Sequence, residues 1–247
     1  MKKLVTSAGL VAIAAAFVVG TTIAFFNDTE TSSGNTLTAG EIDLKINNNS
    51  YYNGVFQGGW GIKDLANEKF FTLRDFKPGD LSQHFISWHV LNNPAWACVK
   101  VVNLQDDDNG LTEPEQSAGD QSPGPQGGGE LSSAIEVLAW KDSNVNSRHD
   151  ANEPFIGGTP SFFDVFTPLP FKDSTTGTGP LQPIQTEILA MSLCGGTHVV
   201  NPNTGALSCD GSAMGDTTQS DSLQADLVLL VEQERNNQNF RCVQPGP

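Results

Sequence analysis

An all-β fold of antiparallel strands with long loop insertions is the expectation from this sequence, and three observations carry it. The interior is rich in Gly, Pro, Asn, Asp, Ser and Thr, and its apolar stretches are short. Those stretches alternate or are rich in β-branched and aromatic residues, which suits a pleated, half-buried surface. Long segments with a 3.6-residue apolar period are absent.

The elements follow in order. Leu37 to Ile46 places Ile42, Leu44 and Ile46 on one face. Ser82 to Leu91 runs into Asn92-Asn93-Pro94, a turn signal. Ala95 to Leu104 follows, with Trp96, Cys98 and Lys100 facing one way and Ala97, Val99 and Val101 the other. A helical turn at Leu131–Ser133 precedes a strand over Ala134–Trp140. A short strand is expected at Ser161–Phe166 and another at Ile188–Leu193. The last is Ser222–Glu232, with Leu223, Ala225, Leu227, Leu229 and Val231 on one face. Two stretches read as excursions, an acidic Pro/Gly-rich insertion at about 105–130 and a loop insertion at about 142–183. Loops of that length are usually functional or held by a metal.

The N-terminus reads as an export signal. Lys2 and Lys3 precede an apolar run from Leu4 to Val19, and Thr22 and Ala24 suit a small-residue cleavage site. Cleavage after Ala24 would release a chain of about 220 residues, enough for one large β domain or two small ones. The rival is an uncleaved anchor, since Leu4 to Phe26 could just cross a bilayer. Signal peptidase is thus an expected partner, and no membrane association is expected after cleavage.

The formal charge is −15, and the signal holds two lysines and no acids. That balance argues against nucleic acid as a partner, because phosphates need Lys and Arg. It favours solubility and cation binding. Four cysteines, Cys98, Cys194, Cys209 and Cys242, suggest two disulfides in an exported chain. Of three pairings we favour Cys98–Cys242 and Cys194–Cys209. Zinc is the rival use, but no C-x-x-C pair exists and His198 is the only nearby imidazole.

The sharpest chemical pattern runs from Asp142 to Glu153. Asp142, Asn144, Asn146, Asp150 and Glu153 stand at positions 1, 3, 5, 9 and 12, and Arg148 supplies the backbone carbonyl at position 7. That spacing wraps a hard cation in oxygens, so calcium is the expected cofactor. Ser147 stands where the sharp turn prefers Gly, and a strand precedes the loop rather than a helix. The alternative is a polar loop closed by its own Asx turns. Asp106-Asp107-Asp108-Asn109-Gly110, with Glu113, Glu115 and Asp120, is a second acidic run with less ordered spacing.

No catalytic residues are expected. His84 and His89 are five apart, so H-E-x-x-H is missing, and no G-x-S-x-G is followed by a helix. Trp60, Trp88, Trp96 and Trp140 read as core or sheet-face residues.

Ala24-Phe-Phe-Asn-Asp-Thr-Glu-Thr31, then Ser33-Gly-Asn-Thr-Leu-Thr-Ala-Gly-Glu-Ile-Asp-Leu44, resembles the opening of the TasA/camelysin family, as does Lys77-Pro-Gly-Asp80 before a strand. Asn92 to Cys98 and the ending Asp221 to Cys242 are similar to a cysteine-bearing branch. The resemblance implies secretion through a SipW-type signal peptidase and a jelly-roll β-sandwich over 39–247. It also implies a structural role in a biofilm matrix or surface fibre. Residues 25–38, anchored by Phe25 and Phe26, would be donated as a strand to the next copy, making the chain its own partner. Camelysin is described as a metalloprotease, an activity this sequence has no zinc motif to carry. The alternatives are a monomeric calcium-stabilised adhesin and a secreted hydrolase.

Overall fold

The computed structural model describes residues 42–121, 128–159 and 168–243. The export signal, the donor segment with Phe25 and Phe26, and the strand expected at 161–166 lie outside them.

The strands are β1 (Leu44–Tyr52), β2 (Val55–Lys63), β3 (Leu81–Val90), β4 (Ala95–Asp107), β5 (Ile135–Lys141) and β6 (Phe155–Gly158). They continue with β7 (Leu169–Lys172), β8 (Glu187–Gly195), β9 (Thr197–Val200), β10 (Leu207–Asp210) and β11 (Ser222–Gln233). Two short helices interrupt them, α1 (Glu113–Ala118) and α2 (Leu131–Ala134). Six strands form one antiparallel sheet in the order β2-β1-β3-β8-β5-β6, three form another in the order β11-β4-β7, and β9 and β10 make a separate hairpin.

The two larger sheets pack face to face. Ile46, Ile86, Trp88, Ala139, Leu189 and Met191 from the six-stranded sheet meet Ala95, Ala97, Val99 and Phe171 from the three-stranded one in a single apolar cluster. This is the antiparallel β-sandwich expected from the sequence. Asn92 to Pro94 does not close a hairpin. β3 pairs with β1 and β8 while β4 pairs with β11 and β7, so this turn carries the chain from one sheet to the other. A buried ion pair also crosses between the sheets, Lys172 Nζ on β7 lying 2.9 Å from Glu187 Oε1 on β8.

Five expected strands appear, with ends shifted by a few residues: β3, β4, β5, β8 and β11. The first expected strand is displaced. Ile42 and Leu44 do pack on the core with Ile46, but β1 runs on through an Asn-rich stretch to Tyr52. It then turns at Asn53 (φ 48°) and Gly54 (φ 77°) into β2. Two successive left-handed residues match the twist of a tight hairpin, which explains Asn-Gly there. The insertion read at 142–183 also contains two strands, β6 and β7, each pairing with a sheet edge. They are four residues long, too short for a periodic signal.

The other face of the six-stranded sheet is covered as well. Phe85, Trp140, Ile188 and Ala190 form a smaller cluster there, with Tyr51 and Leu207 against it. The β9–β10 hairpin lies over this face, tied to β8 by Cys194–Cys209. The second disulfide, Cys98–Cys242, ties the chain end to β4. Both pairings are those expected.

His84 points the opposite way from His89, into the sandwich, and is 1% exposed. Ser50 Oγ is 3.1 Å from its Nδ1 and Ser82 Oγ 2.9 Å from its Nε2. Burial pushes its pKa down to about 4. The folded chain therefore favours the neutral ring, so this contribution to stability is intact above the unfolded value of about 6.5 and lost as pH falls toward 4. The loss is about 3 kcal/mol. Urea unfolding of wild type and His84→Gln at pH 7 and pH 4 checks this, and the variant loses less on acidification by roughly that amount.

Candidate cation sites

All six residues singled out from Asp142 to Glu153 surround one loop, docked on the outer face of the six-stranded sheet. β5 delivers Asp142, which is 1% exposed. Its carboxylate accepts the backbone N–H of Asn146 at 3.1 Å and of Ser147 at 2.9 Å. Ser147 has φ 58°, so a non-glycine residue adopts the left-handed turn that calcium loops place at position 6. Asn146 Oδ1 accepts the N–H of Arg148 at 3.1 Å. The amides of Asn144 and Asn146 donate to Asp150 Oδ2 at 2.7 and 2.6 Å. These two bonds are the main reason the Asp150 carboxyl sits below its ordinary pKa. Arg148 Nε lies 3.4 Å from Asp150 Oδ1. Glu153, 3% exposed, accepts from the N–H of Ser143 at 2.6 Å and of Asp150 at 3.2 Å.

The loop thus holds its shape through its own hydrogen bonds. The Asp142 and Glu153 oxygens each take one of these N–H bonds and retain a second acceptor site that a cation could share, whereas Asp150 Oδ2 already accepts two. His149 pins the loop in place. Its ring stacks on Phe155 at 4.4 Å and meets the face of the sheet at Trp140, 5.2 Å away. Nδ1 is 2.7 Å from the carbonyl of Gly205, and Nε2 is 2.7 Å from that of Glu153.

The second acidic run contributes to a different cluster. Among the described residues, one group of three Asp, Glu, His or Cys side chains brings its ligand atoms within 4.8 Å of one another: Asp108, Glu115 and Asp221. Asp142, Asp150 and Glu153 do not approach one another that closely. Asp108 and Glu115 are fully buried. Asp221 Oδ2 accepts the N–H of Glu130 at 2.8 Å, and Asp106 Oδ2 accepts that of Ser132 at 2.8 Å. Burial raises the Asp221 pKa to about 6, and the nearby charges of Asp106, Asp108 and Glu115 push the same way. Burial also raises Glu130, helped by Asp120 and Asp221. Asp221 is remote from this run in sequence, and Glu130 lies at the far end of the same insertion. Pairing of β11 with β4, which sets Ser222 opposite Asp107, brings Asp221 to Asp108.

Among the described residues no histidine joins a group of three possible metal ligands. His198 instead joins Glu136 and Ser192, with Nδ1 3.0 Å from Glu136 Oε2 and Nε2 2.9 Å from Ser192 Oγ. The order is that of a serine–histidine–acid triad. Ser192, however, is 0% exposed within β8 beneath the hairpin, which closes it to solvent. Burial lowers the His198 pKa despite Glu136. This chain of bonds fastens β9 to the sheet. Asn48, the first residue of a glycosylation sequon, is 1% exposed, which leaves no room for a glycan once β1 is folded.

A family model described as camelysin metallo-endopeptidase matches residues 1–109. No curated protein matches the chain. The matched range ends just after β4, so the loop at 142–153, β8 and β11 lie beyond it. No described helix is long and apolar enough to cross a membrane. Over residues 1–109 the chain is similar to the camelysin family, in line with its N-terminal motifs and Lys-Pro-Gly-Asp turn.

Proposed function

We propose that the protein is a secreted structural protein, a subunit of a biofilm-matrix or cell-surface filament built by donor-strand addition from residues 25–38. The family match and two disulfides, which suit an oxidising exterior, support the setting. The observation that carries assembly is β11. It is twelve residues long and ends its sheet, with no described strand on its outer side. Its inward residues Leu227, Leu229 and Val231 pack on the core yet remain only partly buried. An added strand would finish covering them and satisfy the open edge. The fourteen residues from Phe25 to Thr38 are long enough to run along it.

Proteolysis, named in the family description, is left out of this reading. The sequence has no H-E-x-x-H, and Ser192 is sealed. Electron microscopy of the secreted chain with and without Phe25–Thr38 tests the proposal. Filaments form only with the segment, while both chains give the same circular dichroism. Filaments in both preparations, or particles in both, would sink it.

Calcium stabilisation of the same chain, as fibre subunit or as monomeric adhesin, is a second reading, favoured by the left-handed Ser147. At millimolar calcium and a dissociation constant of about 0.1 mM, the expected gain is about 1–2 kcal/mol. Thermal unfolding shows it as a higher Tm that EDTA reverses. Glu153→Gln removes the response if the ion sits at 142–153. Asp221→Asn removes it if the ion sits at the buried cluster.

A further inference from the structure

A polar cleft of about 740 Å³ opens between the 142–153 loop and the turn joining β9 to β10. We infer that it is a binding site for a neutral, polyhydroxylated ligand, an oligosaccharide segment. Its lining includes Gln83, Arg148, Asp150, Asn152, Asn203 and Thr204. Gln83 rises from the outer face of β3, Asn152 from the loop, and Asn203 from the turn, so three separate elements present amides to one space. Each side-chain amide offers both a donor pair and an acceptor, the complement of adjacent hydroxyls that both donate and accept.

Other ligand classes fit poorly. The apolar part of the lining is small (Ala151, Ala206 and Leu207), so an apolar molecule or a peptide's hydrophobic side chains would find little to fill. A polyanion would meet Asp150 and a chain of formal charge −15. Arg148 already faces Asp150 at 3.4 Å and adds no uncompensated positive charge. The cleft is also preorganised. His149 holds the loop to the Gly205 carbonyl, and Asn201 Oδ1 accepts the N–H groups of Asn203 and Thr204 at 2.9 and 3.2 Å. No Trp, Tyr or Phe lines it for sugar stacking, and the His149 ring is already stacked on Phe155, so hydrogen bonds set an affinity of roughly millimolar order. The inference does not depend on strand addition, because the cleft and β11 belong to different sheets.

Saturation-transfer NMR on the secreted chain tests it. The probes are cellohexaose, maltohexaose and N-acetylchitohexaose at ~10 mM, with a neutral hexapeptide and an oligogalacturonate as comparisons. At least one neutral oligosaccharide receives saturation. Asn152→Ala/Asn203→Ala reduces that transfer at least about fivefold with Tm unchanged, since both residues are exposed. Three outcomes overturn the inference: no transfer to any neutral sugar, transfer that survives the double substitution, or transfer to the peptide or the acidic sugar alone.

Discussion

Removing the Cys98–Cys242 bond as Cys98→Ser/Cys242→Ser lowers the free energy of unfolding by about 4–5 kcal/mol, the upper end of what one disulfide contributes. The bond joins residues 144 apart in sequence, against 15 for Cys194–Cys209. The chain entropy it removes from the unfolded state is correspondingly larger, whereas the shorter loop accounts for about 3 kcal/mol. Native contacts add to the difference. Cys98 is 1% exposed on β4, opposite Leu230 of β11. The tail that the bond holds runs over the same sheet. Trp96 Nε1 donates to the Asn237 carbonyl at 2.8 Å, the N–H of Ser174 to that of Phe240 at 3.0 Å, and the N–H of Cys242 to Asp173 Oδ2 at 3.0 Å. Urea unfolding of the two double-serine chains ranks them. A larger loss from Cys194→Ser/Cys209→Ser would mean that hairpin docking outweighs loop length.

What could be read from the sequence divides along a physical line. β3, β4, β5, β8 and β11 were legible because their own residues, apolar in alternating or near-continuous stretches, carry the signal. β2 was not. Its sequence is Val-Phe-Gln-Gly-Gly-Trp-Gly-Ile-Lys, and three glycines hide a strand held by its neighbour. Gly59 sits so close to the Asn48 carbonyl that a Cβ would lie 2.1 Å from it, so this glycine is required by pairing with β1. The disulfide pairing was readable because a 15-residue loop and a chain end limit the choices. The same holds for the 142–153 loop, whose candidate ligands are fixed by local spacing. The Asp108–Glu115–Asp221 cluster was only half visible, since Asp221 arrives through the β11–β4 register. The Ser192–His198–Glu136 chain was missed for the same reason, with Glu136 brought from β5.

Under the proposed donor-strand assembly, Val228→Lys/Leu230→Lys stops filament growth while leaving the subunit folded. Between Asp226 and Glu232, β11 reads Leu-Val-Leu-Leu-Val without a charge. Exposed edges of that kind invite pairing with another chain, and proteins usually blunt them with charges, prolines or bulges. The one irregularity here lies at Gln224–Asp226, before the apolar run. Val228 and Leu230 are 41% and 44% exposed on the outer face, so charging them costs the monomer little, about 0.5 kcal/mol or less. In a filament they would sit beside the side chains of the inserted strand. Two desolvated ammonium groups there work against insertion by several kcal/mol. An edge of the other sheet provides the control. β2 is also an outer strand, with Val55, Phe56 and Ile62 exposed, but glycines break its apolar row. Val55→Lys/Ile62→Lys therefore elongates as wild type does by light scattering and microscopy, whereas the β11 variant stays monomeric by sedimentation. The reverse pattern would move the acceptor edge to β2.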